Sequence, residues 1–496
     1  MPASGSSVYI SNARLVHAGA GDALTPGGVL VERDTIAAVA STPGEQAEAR
    51  ARAREVFDAD GMLLMPGLVD AHYHSYSTLL KGTQNSLPLE PWALYTVAYG
   101  RALGGEAIRL AILLGAAEML RNGITACLDH FPHTRWAEAA LAAHESSGMR
   151  VGFAPFMHDV WDHEFLGVDL PPAIRARLDA APRSDPGDVE RMYRDLVDRW
   201  HGREGRLTIM LGPNAFQRCS ERLVAVWRRL RDELGVATHT HLLETRAQGS
   251  RGQAVWPGGT VGEMARCGLL NERLSVGHGL WLTPEERDLL ARHGVTVVHN
   301  PASNLMLGSG RLSLPVMMRA GVPLALGSDS SNTGGPHNLF EVMRLALMLS
   351  RPDTPDPRNW PTAARIFEMA TTGGARALGL AGTVGRLERG QRADLVLLSP
   401  RTAALAPAPL TLSHLVQHAG PAAVTAVMIN GAWVLRDGQL LAFDEPAVLA
   451  QASALAAVCL ASARPDVEFA ETAAPYFSSV GGVDLGCGTS TPLDPR

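Results

Sequence analysis

The chain has 496 residues, of which 46% are hydrophobic and 19% are charged, and its formal net charge is −6. This composition is typical of a globular protein and excludes a largely disordered chain. Lysine and arginine form no clustered block, so we expect no nucleic-acid partner. The small, polar start of the chain, residues 1–7, lacks the features of a secretory signal, and no apolar run reaches the roughly 18–20 residues that span a bilayer.

The five cysteines are scattered along the chain and form no CxxC pair; they are Cys127, Cys219, Cys267, Cys459 and Cys487. Isolated cysteines in odd number fit a reducing compartment and argue against a cysteine-based zinc site. We therefore expect a cytoplasmic protein without a membrane partner. We also expect a homo-oligomer, a dimer or larger.

Short apolar runs alternate with helical patterns through the middle of the chain. The candidate strands are 62–65, 125–128, 151–154, 207–211, 236–240, 274–276, 295–298 and 324–326. Amphipathic stretches such as 107–120 and 221–234 lie between them. Eight strand–helix repeats predict an α/β fold, a closed (β/α)8, TIM-like barrel, and a doubly wound open sheet is the alternative.

Most of these strands end in a polar residue that is able to do chemistry. These residues are His72, His74, Asp129, His130, His241, His278, His299, Asn300 and Asp329. In a barrel the carboxyl ends of all strands converge on one face, where the active site lies. An open sheet would spread the same residues along a line.

The flanks of the barrel read as short strands with turn residues between them. The runs 8–11, 29–32 and 36–39 precede the barrel, and 393–398 and 425–435 follow it. Because each half has too few strands to bury a face alone, we expect one small β-sandwich built from both chain ends. This predicts a sandwich of residues 1–61 and 381–445, a barrel of 62–380, and a C-terminal helix and tail in 446–496.

The first chemical motif is PGLVDAHYH, residues 66–74. Side chains two apart on a strand point the same way, so His72 and His74 can reach one ion together. Two incidental histidines are the alternative, and the preceding apolar strand and Pro-Gly pair favour the site.

The second motif is His-Leu-Leu-Glu, residues 241–244. A neutral imidazole suits a metal ligand and a nearby carboxylate suits proton transfer. Glu244 must then lie just past the strand end, where the loop turns it back; a surface glutamate is the alternative. His239 lies one layer deeper, and we interpret it as a packed or supporting histidine.

Two further strand ends carry the same signal. His278 stands between two glycines, where a side chain has little steric cover, although a turn histidine would look the same. Asp329 follows the apolar run 324–326. An unpaired charge beside a core is costly, and a metal or a catalytic role would account for it.

The order and spacing of these residues resemble the mononuclear-metal branch of the amidohydrolase superfamily, which contains cytosine deaminase, the triazine hydrolases and the deaminases of S-adenosylhomocysteine and methylthioadenosine. The resemblance runs from about residue 8 to residue 440. It includes the entry to the first histidines, the run HNPASN at 299–304, and the run 385–395, which is similar to the family's return from barrel to sandwich.

This resemblance implies a role for each matching residue. His72, His74, His241 and Asp329 look like metal ligands, Glu244 like the proton shuttle, and His278 like the group that orients the water. Trp92, His299 and Asn304 look like substrate-binding residues. The run 207–213 has no lysine of the kind that bridges two metals, so one divalent ion is expected, zinc first and iron second.

The implied reaction is hydrolytic deamination of an amino-substituted nitrogen heterocycle by a metal-activated water, with Asp329 and Glu244 moving protons. The segment that ends at Trp92 resembles the substrate-covering loop of the adenosine-derivative deaminases. Those enzymes carry a ribose-binding glutamate nine residues after this tryptophan, and here the position is Arg101. This difference favours a free heterocycle: a pterin, a purine base, a pyrimidine or a triazine.

Two other functions remain as alternatives. A triazine hydrolase would displace chloride or an alkylamine instead of ammonia. A non-catalytic assembly protein of the same fold would have lost metal ligands, whereas all four candidate ligands and Glu244 are present here.

Overall fold

A computed structural model describes residues 7–17, 23–83, 86–407 and 410–478. The Gly/Ser/Pro-rich tail after Ser478 and most of the polar start of the chain lie outside the described residues. Cys127, Cys219, Cys267 and Cys459, the four cysteines within the described ranges, are free thiols.

The strands, numbered in chain order, are β1 Ser7–Leu15, β2 Thr25–Glu32, β3 Thr35–Ala40, β4 Glu55–Asp58, β5 Leu63–Pro66, β6 Leu68–Tyr73, β7 Ile124–Phe131, β8 Arg150–Met157, β9 Leu207–Ile209, β10 Gly212–Pro213, β11 Thr238–Leu242, β12 Leu274–His278, β13 Thr296–His299, β14 Leu324–Leu326, β15 Leu395–Leu398, β16 Val424–Ile429, β17 Ala432–Arg436 and β18 Gln439–Leu440.

The helices are α1 Pro43–Arg52, α2 Leu89–Arg101, α3 Gly105–Arg121, α4 Ala137–Ser147, α5 Asp162–Leu166, α6 Pro172–Asp179, α7 Pro186–Trp200, α8 Glu221–Leu234, α9 Arg246–Val255, α10 Gly259–Arg266, α11 Pro284–Arg292, α12 Pro301–Met306, α13 Leu314–Arg319, α14 Leu339–Leu349, α15 Ala363–Glu368, α16 Gly374–Ala377, α17 Leu412–His418, α18 Glu445–Ser462 and α19 Arg464–Ser478.

Parallel strands β6 to β14 form the predicted barrel in two half-sheets. One half runs β10-β8-β7-β6, with β9 also paired to β8, and the other runs β11-β12-β13-β14. Single bridges join the halves at both seams, Tyr73 to Asp329 on one side and Leu211 to Thr238 on the other. β9 and β10 together occupy the fourth strand position of the barrel, which therefore has eight strand positions. The (β/α)8 prediction is confirmed.

Small residues fill the inside of the barrel and leave room above them for histidines. The interior cluster contains Val69, Ala71, Ala126, Leu128, Ala154, Met210, Ala237, Val298 and Ala325, with Ala377 and Leu378 of the α16 region beneath it. The opposite faces of the same strands pack against the surrounding helices in the main core. The strands are therefore buried on both faces, which explains why they read as continuous apolar runs.

The two chain ends meet in one nine-stranded sheet, as expected. Its order is β18-β17-β16-β15-β5-β1-β2-β3, with β4 paired to β1. An apolar cluster joins Ile10 and Val29 from the N-terminal strands to Leu395 and Met428 from the C-terminal ones. Neither end therefore builds this layer alone.

One predicted strand belongs to the other layer. The run 62–65 was expected to be the first barrel strand, but β5 pairs with β1 and with β15 in the nine-stranded sheet. The first barrel strand is β6, which pairs with β7. Both runs are apolar and adjacent, so their pairing partners could not be told apart from the sequence. We propose to place the start of the barrel at Leu68.

Helix α18 differs from the sequence-based expectation. By length and composition it is apolar enough to cross a membrane, and most of it is exposed. This test alone is weak evidence, because single helices of soluble proteins also pass it. In this chain α18 packs along α3 on the outside of the barrel.

A buried ion pair joins the barrel to the nine-stranded sheet. Arg150 of β8 donates from Nε and Nη2 to Asp394, at 2.7 and 3.0 Å, and both residues are almost fully buried. Nη2 of Arg150 also donates to the Asn430 side chain at 3.1 Å. A buried charge left without its partner is costly, so this pair fixes how the two layers meet.

We predict that Asp394→Ala lowers the free energy of unfolding by about 3–5 kcal/mol, because it leaves the Arg150 guanidinium buried and uncompensated. The matched control is Glu48→Ala, which removes an exposed ion pair with Arg52 in helix α1 and should cost less than about 1 kcal/mol. Urea denaturation followed by fluorescence measures both. Equal effects of the two variants would contradict a structural role for the buried pair.

Candidate active site

The first barrel strand, β6, brings His72 and His74 to the mouth of the barrel. The Nδ1 atom of each ring makes a hydrogen bond that fixes the orientation of the ring. Nδ1–H of His74 donates to the carbonyl of His130 at 2.6 Å. Because a carbonyl can only accept, this bond requires a proton on Nδ1, so that Nε2 is the nitrogen that carries the lone pair when the ring is neutral.

His241, near the end of β11, is held in the same way. Its Nδ1–H donates to the carbonyl of Asn214 at 2.6 Å, and its Nε2 lies 3.3 Å from Nε2 of His74. Burial lowers the pKa of His241 well below its usual range, so the ring is neutral. In their neutral forms the two rings direct lone pairs at each other, as two ligands of one cation would.

The orientation of His72 follows from a chain of three hydrogen bonds. Ser275 Oγ–H donates to the carbonyl of Ala377 at 3.0 Å, and His239 Nδ1–H donates to Ser275 Oγ at 2.8 Å. His239 Nε2 must then accept from His72 Nδ1–H, at 2.7 Å. Burial lowers the pKa of both histidines well below their usual range. His72 Nε2 is thus a third lone pair, and within the described residues it is buried without a hydrogen-bond partner.

Asp329 completes the set from the loop after β14. Its Oδ1 lies 3.6 Å from His72 Nε2 and 3.5 Å from His74 Nε2, and its backbone N–H donates to the carbonyl of His72 at 2.8 Å. Gly327 permits this approach, because a Cβ there would lie 2.5 Å from Asn300 Oδ1 and 2.8 Å from His72 Cβ.

Three converging imidazole nitrogens and a carboxylate are a donor set that suits a divalent ion such as zinc. Ring nitrogens of His72, His74, His130 and His241 lie within 4.8 Å of one another, and atoms of His72, His278 and Asp329 form a second such group. The residues present fit a metal on their chemistry. His130 adjoins the predicted ligands but makes no hydrogen bond through either ring nitrogen within the described residues.

Glu244 reaches the site through a turn with a left-handed residue. Leu243 has φ of 44°, a conformation that costs free energy in a non-glycine residue and is found preferentially at functional sites. The Glu244 backbone N–H donates to Gln248 Oε1 at 2.9 Å, which holds the turn. Burial, followed by the nearby Asp329 carboxylate, raises the pKa of Glu244 well above its usual range. Burial therefore favours the protonated form of Glu244, the form that can donate a proton.

His278 lies between Glu244 and Asp329. Its Nε2 is 3.5 Å from Glu244 Oε2 and 3.9 Å from Asp329 Oδ2. Its Nδ1–H donates to Asn304 Oδ1 at 2.8 Å, so Nε2 carries the lone pair. His278 and Asp329 also have positive φ, 75° and 64°. Three of the site residues thus follow or occupy strained strand ends.

A cavity of about 390 Å³ opens above these groups. His74, His241, Glu244, His278 and Asp329 line one end of it, and Trp92 of α2 lines its wall. Most of the lining is apolar, with a few polar groups at the inner end. A cavity of this size and character suits a small aromatic ring that is oriented by a few hydrogen bonds.

Not all predicted residues reach this cavity. Trp92 lines it, whereas His299 and Asn304 do not. Asn304 instead holds Nδ1 of His278, and His299 is buried, with its pKa lowered to about 3 by desolvation. The geometry therefore does not support direct contact of His299 or Asn304 with a substrate in the cavity. Asn304 acts through His278.

Two cavity residues were missed by sequence reasoning. Glu90, two residues before Trp92, is buried and accepts a hydrogen bond from the Thr245 hydroxyl. Arg218, in the loop after β10, pairs with Asp162, and burial lowers its pKa to about 10. The position of Glu90 next to Trp92 could have indicated from the sequence that it lines the cavity. No sequence pattern indicates this for Arg218, because an arginine in a loop resembles any surface charge.

Comparisons with known proteins agree with this geometry. The model of the amidohydrolase family matches residues 63–434. A 5-methylthioadenosine/S-adenosylhomocysteine deaminase from Desulforudis audaxviator is 35% identical over 403 residues, covering 81% of this chain and 87% of that protein.

Solved structures show the same fold. An adenosine deaminase from Xanthomonas campestris with bound zinc is 28% identical, with a TM-score of 0.80, covering 93% of this chain and 99% of that one. An atrazine chlorohydrolase from Arthrobacter aurescens, complexed with zinc, has a TM-score of 0.81 at 21% identity, covering 90% and 100% of the two chains. At that identity the likeness concerns the fold alone.

We predict close to one equivalent of divalent metal per chain after mild dialysis, because one set of converging donors is present. His72→Ala should lose it, whereas His414→Ala, which alters a half-buried histidine of α17, should not. Elemental analysis of the purified proteins measures the content. Two equivalents, or none, would contradict a single-metal site.

We also predict that His239→Ala lowers metal affinity by about 10- to 100-fold, since it removes the acceptor that fixes the His72 proton on Nδ1. Ser275→Ala should act in the same direction with a smaller effect. Titration against a competing chelator measures the affinity. An unchanged affinity in His239→Ala would show that packing alone orients His72.

Proposed function

The chain belongs to the amidohydrolase family, and from that premise we propose that it is a metal-dependent deaminase that releases ammonia from an amino-substituted nitrogen heterocycle. One observation carries the proposal. Ring nitrogens of three histidines and the Asp329 carboxylate converge beside Glu244, whose pKa is raised well above its usual range by burial.

We propose His72, His74, His241 and Asp329 as the residues that hold the metal, and zinc as the ion. A divalent ion held there would act as a Lewis acid and lower the pKa of water from about 16 to about 7. Zinc-bound relatives and the three imidazole donors support this assignment. Imidazole and carboxylate donors also suit iron, so metal analysis decides between the two.

The chain's own residues then move the protons. Water adds to the ring carbon that bears the amino group, and a proton from water passes to the Asp329 carboxylate. Glu244 donates its proton to the adjacent ring nitrogen, takes up the proton of the added hydroxyl and passes it to the departing amine. The proton held by Asp329 then returns to Glu244 and restores both groups. The carbon–nitrogen bond breaks, and ammonia leaves. His278, held by Asn304, offers its Nε2 lone pair to orient the water between Glu244 and Asp329.

Trp92 provides an aromatic face in the cavity wall, on which a flat heterocycle can stack. The relatives that are named for deaminating adenosine derivatives make the adenine ring the first to test. Arg101 lines the cavity but pairs with Asp466, so a sugar diol would not find a free carboxylate at this position. We therefore retain the free heterocycle as the proposed substrate class.

The test is ammonia release from a panel of aminated pterins, purines, pyrimidines and triazines, with adenosine derivatives included. Ammonia from at least one ring supports a deaminase. Release of chloride or alkylamine, without ammonia, from substituted triazines would replace this proposal with the triazine hydrolase. A protein that binds no metal and turns over nothing would be the non-catalytic form.

We further propose that the protein is cytoplasmic and acts as a homo-oligomer. Four scattered free thiols support a reducing compartment. Light scattering on the purified protein tests the subunit count, and a monomer at micromolar concentration would reject the second part.

We predict that Glu244→Gln keeps the metal but lowers kcat by about 10²- to 10⁴-fold. Glutamine preserves shape and hydrogen bonding but cannot pass a proton. Metal content and turnover of the best panel substrate are measured on the same preparation, with the exposed Glu285→Gln as the control.

Two results would change the mechanism. Near-normal turnover in metal-replete Glu244→Gln would remove Glu244 from proton transfer. Loss of metal together with activity would make Glu244 a ligand, or the support of one.

A further inference from the structure

The C-terminal helix α19 lines part of the active-site cavity. The proposed chemistry involves residues at the barrel strand ends and does not use this helix. Asp466, Phe469, Ala470 and Phe477 of α19 line the cavity whose other end holds His74 and Glu244. Helices α2 and α6, which follow β6 and β8 at the mouth of the barrel, form the neighbouring walls. The last described helix is thus part of the substrate compartment.

Two apolar clusters, separate from the main core, dock α19. Ala470 and Ala474 pack with Tyr95 and Ala98 of α2. Ala473 and Phe477 pack with Val168, Leu170 and Ile174 at α6. The buried positions 470, 473, 474 and 477 lie on one side of the helix, so α19 is amphipathic. Its apolar side is buried against the mouth of the barrel.

Charged contacts set the register of the helix. Asp466 Oδ1 lies 3.1 Å from Arg177 Nη2 and 3.7 Å from Arg101 Nη1. The Arg177 guanidinium also lies over the Phe469 ring, 4.0 Å from its centroid. All three charged side chains are partly exposed, so these pairs contribute little stability and mainly fix position. Arg101 stands where the adenosine-derivative deaminases carry a ribose-binding glutamate. In this chain it has an ionic partner on α19.

The α19 end of the cavity is apolar, in contrast to the inner end. Phe469, Ala470 and Phe477 face this compartment together with Leu178, Ala181 and Pro182. Asp466 and Arg101 lie at the same end, where each already has an ionic partner. A polar substituent there would lose water without gaining a strong hydrogen bond, whereas an apolar one would be buried.

We propose that α19 is a specificity element of the active site, and that its Phe469 and Phe477 form a subsite for an apolar alkyl or aryl substituent on the heterocycle, remote from the amino group. This inference rests on the proposed function for the inner end of the cavity. It narrows the substrate class to aminated rings that carry such a substituent.

The test compares 9-benzyladenine with 9-methyladenine, two aminated rings that differ only in the remote apolar group. Calorimetric titration is performed on full-length, metal-containing protein with Glu244→Gln, which is expected to slow turnover by about 10²- to 10⁴-fold. We expect the benzyl compound to bind on the order of tenfold more tightly or better, because the phenyl ring is buried against α19. Equal affinities, or no binding of either compound, would overturn the proposal.

Variants of α19 then locate the subsite. Phe469→Ala should bring the affinity ratio of the two compounds close to one, and Phe477→Ala should lower it as well. Tyr476→Ala is the matched control, since it removes an exposed aromatic ring from the same helix turn that does not line the cavity. Circular dichroism establishes that each variant is folded. A ratio that Phe469→Ala and Phe477→Ala leave unchanged would overturn the role of α19.

The two proposals fail in distinguishable ways. Absence of turnover in the wild-type protein counts against the deaminase, while the binding ratio in Glu244→Gln still reports on α19. Turnover of free adenine with equal affinities for the two 9-substituted compounds retains the deaminase and rejects the subsite.

Discussion

The structure depends on the placement of protons on three histidines at the barrel mouth. His74 and His241 each give their Nδ1 proton to a backbone carbonyl, and His72 gives its own to His239, which is held in turn by Ser275. In the neutral rings all three Nε2 atoms then carry the lone pair, and two of them lie 3.3 Å apart. A cation bound between them would use these lone pairs as ligands. Packing and hydrogen bonds of the barrel strands hold the three rings in these orientations before a metal binds.

Backbone strain carries the remaining groups to the same point. Leu243, His278 and Asp329 have positive φ, and each lies at or just past the end of a barrel strand. Such conformations persist only where the surroundings impose them, here through the Gln248, Asn304 and His72 hydrogen bonds. The barrel therefore acts as a rigid base that aims short strained turns inward. This explains how residues from four strands converge within a few ångströms.

Much of this arrangement was predictable from the sequence, and the reasons are local. HxH obeys strand periodicity, and His-Leu-Leu-Glu and the other polar residues stand where apolar runs end, so the barrel and the converging residues could be predicted. The assignment of 62–65 failed because pairing partners are non-local, and β5 reads like any apolar strand. His299 and Asn304 look equally available in sequence, and only side-chain direction separates a cavity wall from a support. Arg218 and α19 reach the site through tertiary packing, which leaves no local pattern.

The nine-stranded sheet has a consequence for how the chain is made. β5 pairs with β15, so Leu64 meets Leu397 only after roughly 330 further residues have been synthesised. At about 5–20 residues per second, this edge waits on the order of tens of seconds for its neighbour. During that time the apolar strands at the start of the chain are open to the wrong partners. The barrel strands, which end at Leu326, are all synthesised before the strands that close this sheet, so aggregation of the growing chain is most strongly opposed by whatever keeps β5 covered until β15 is made.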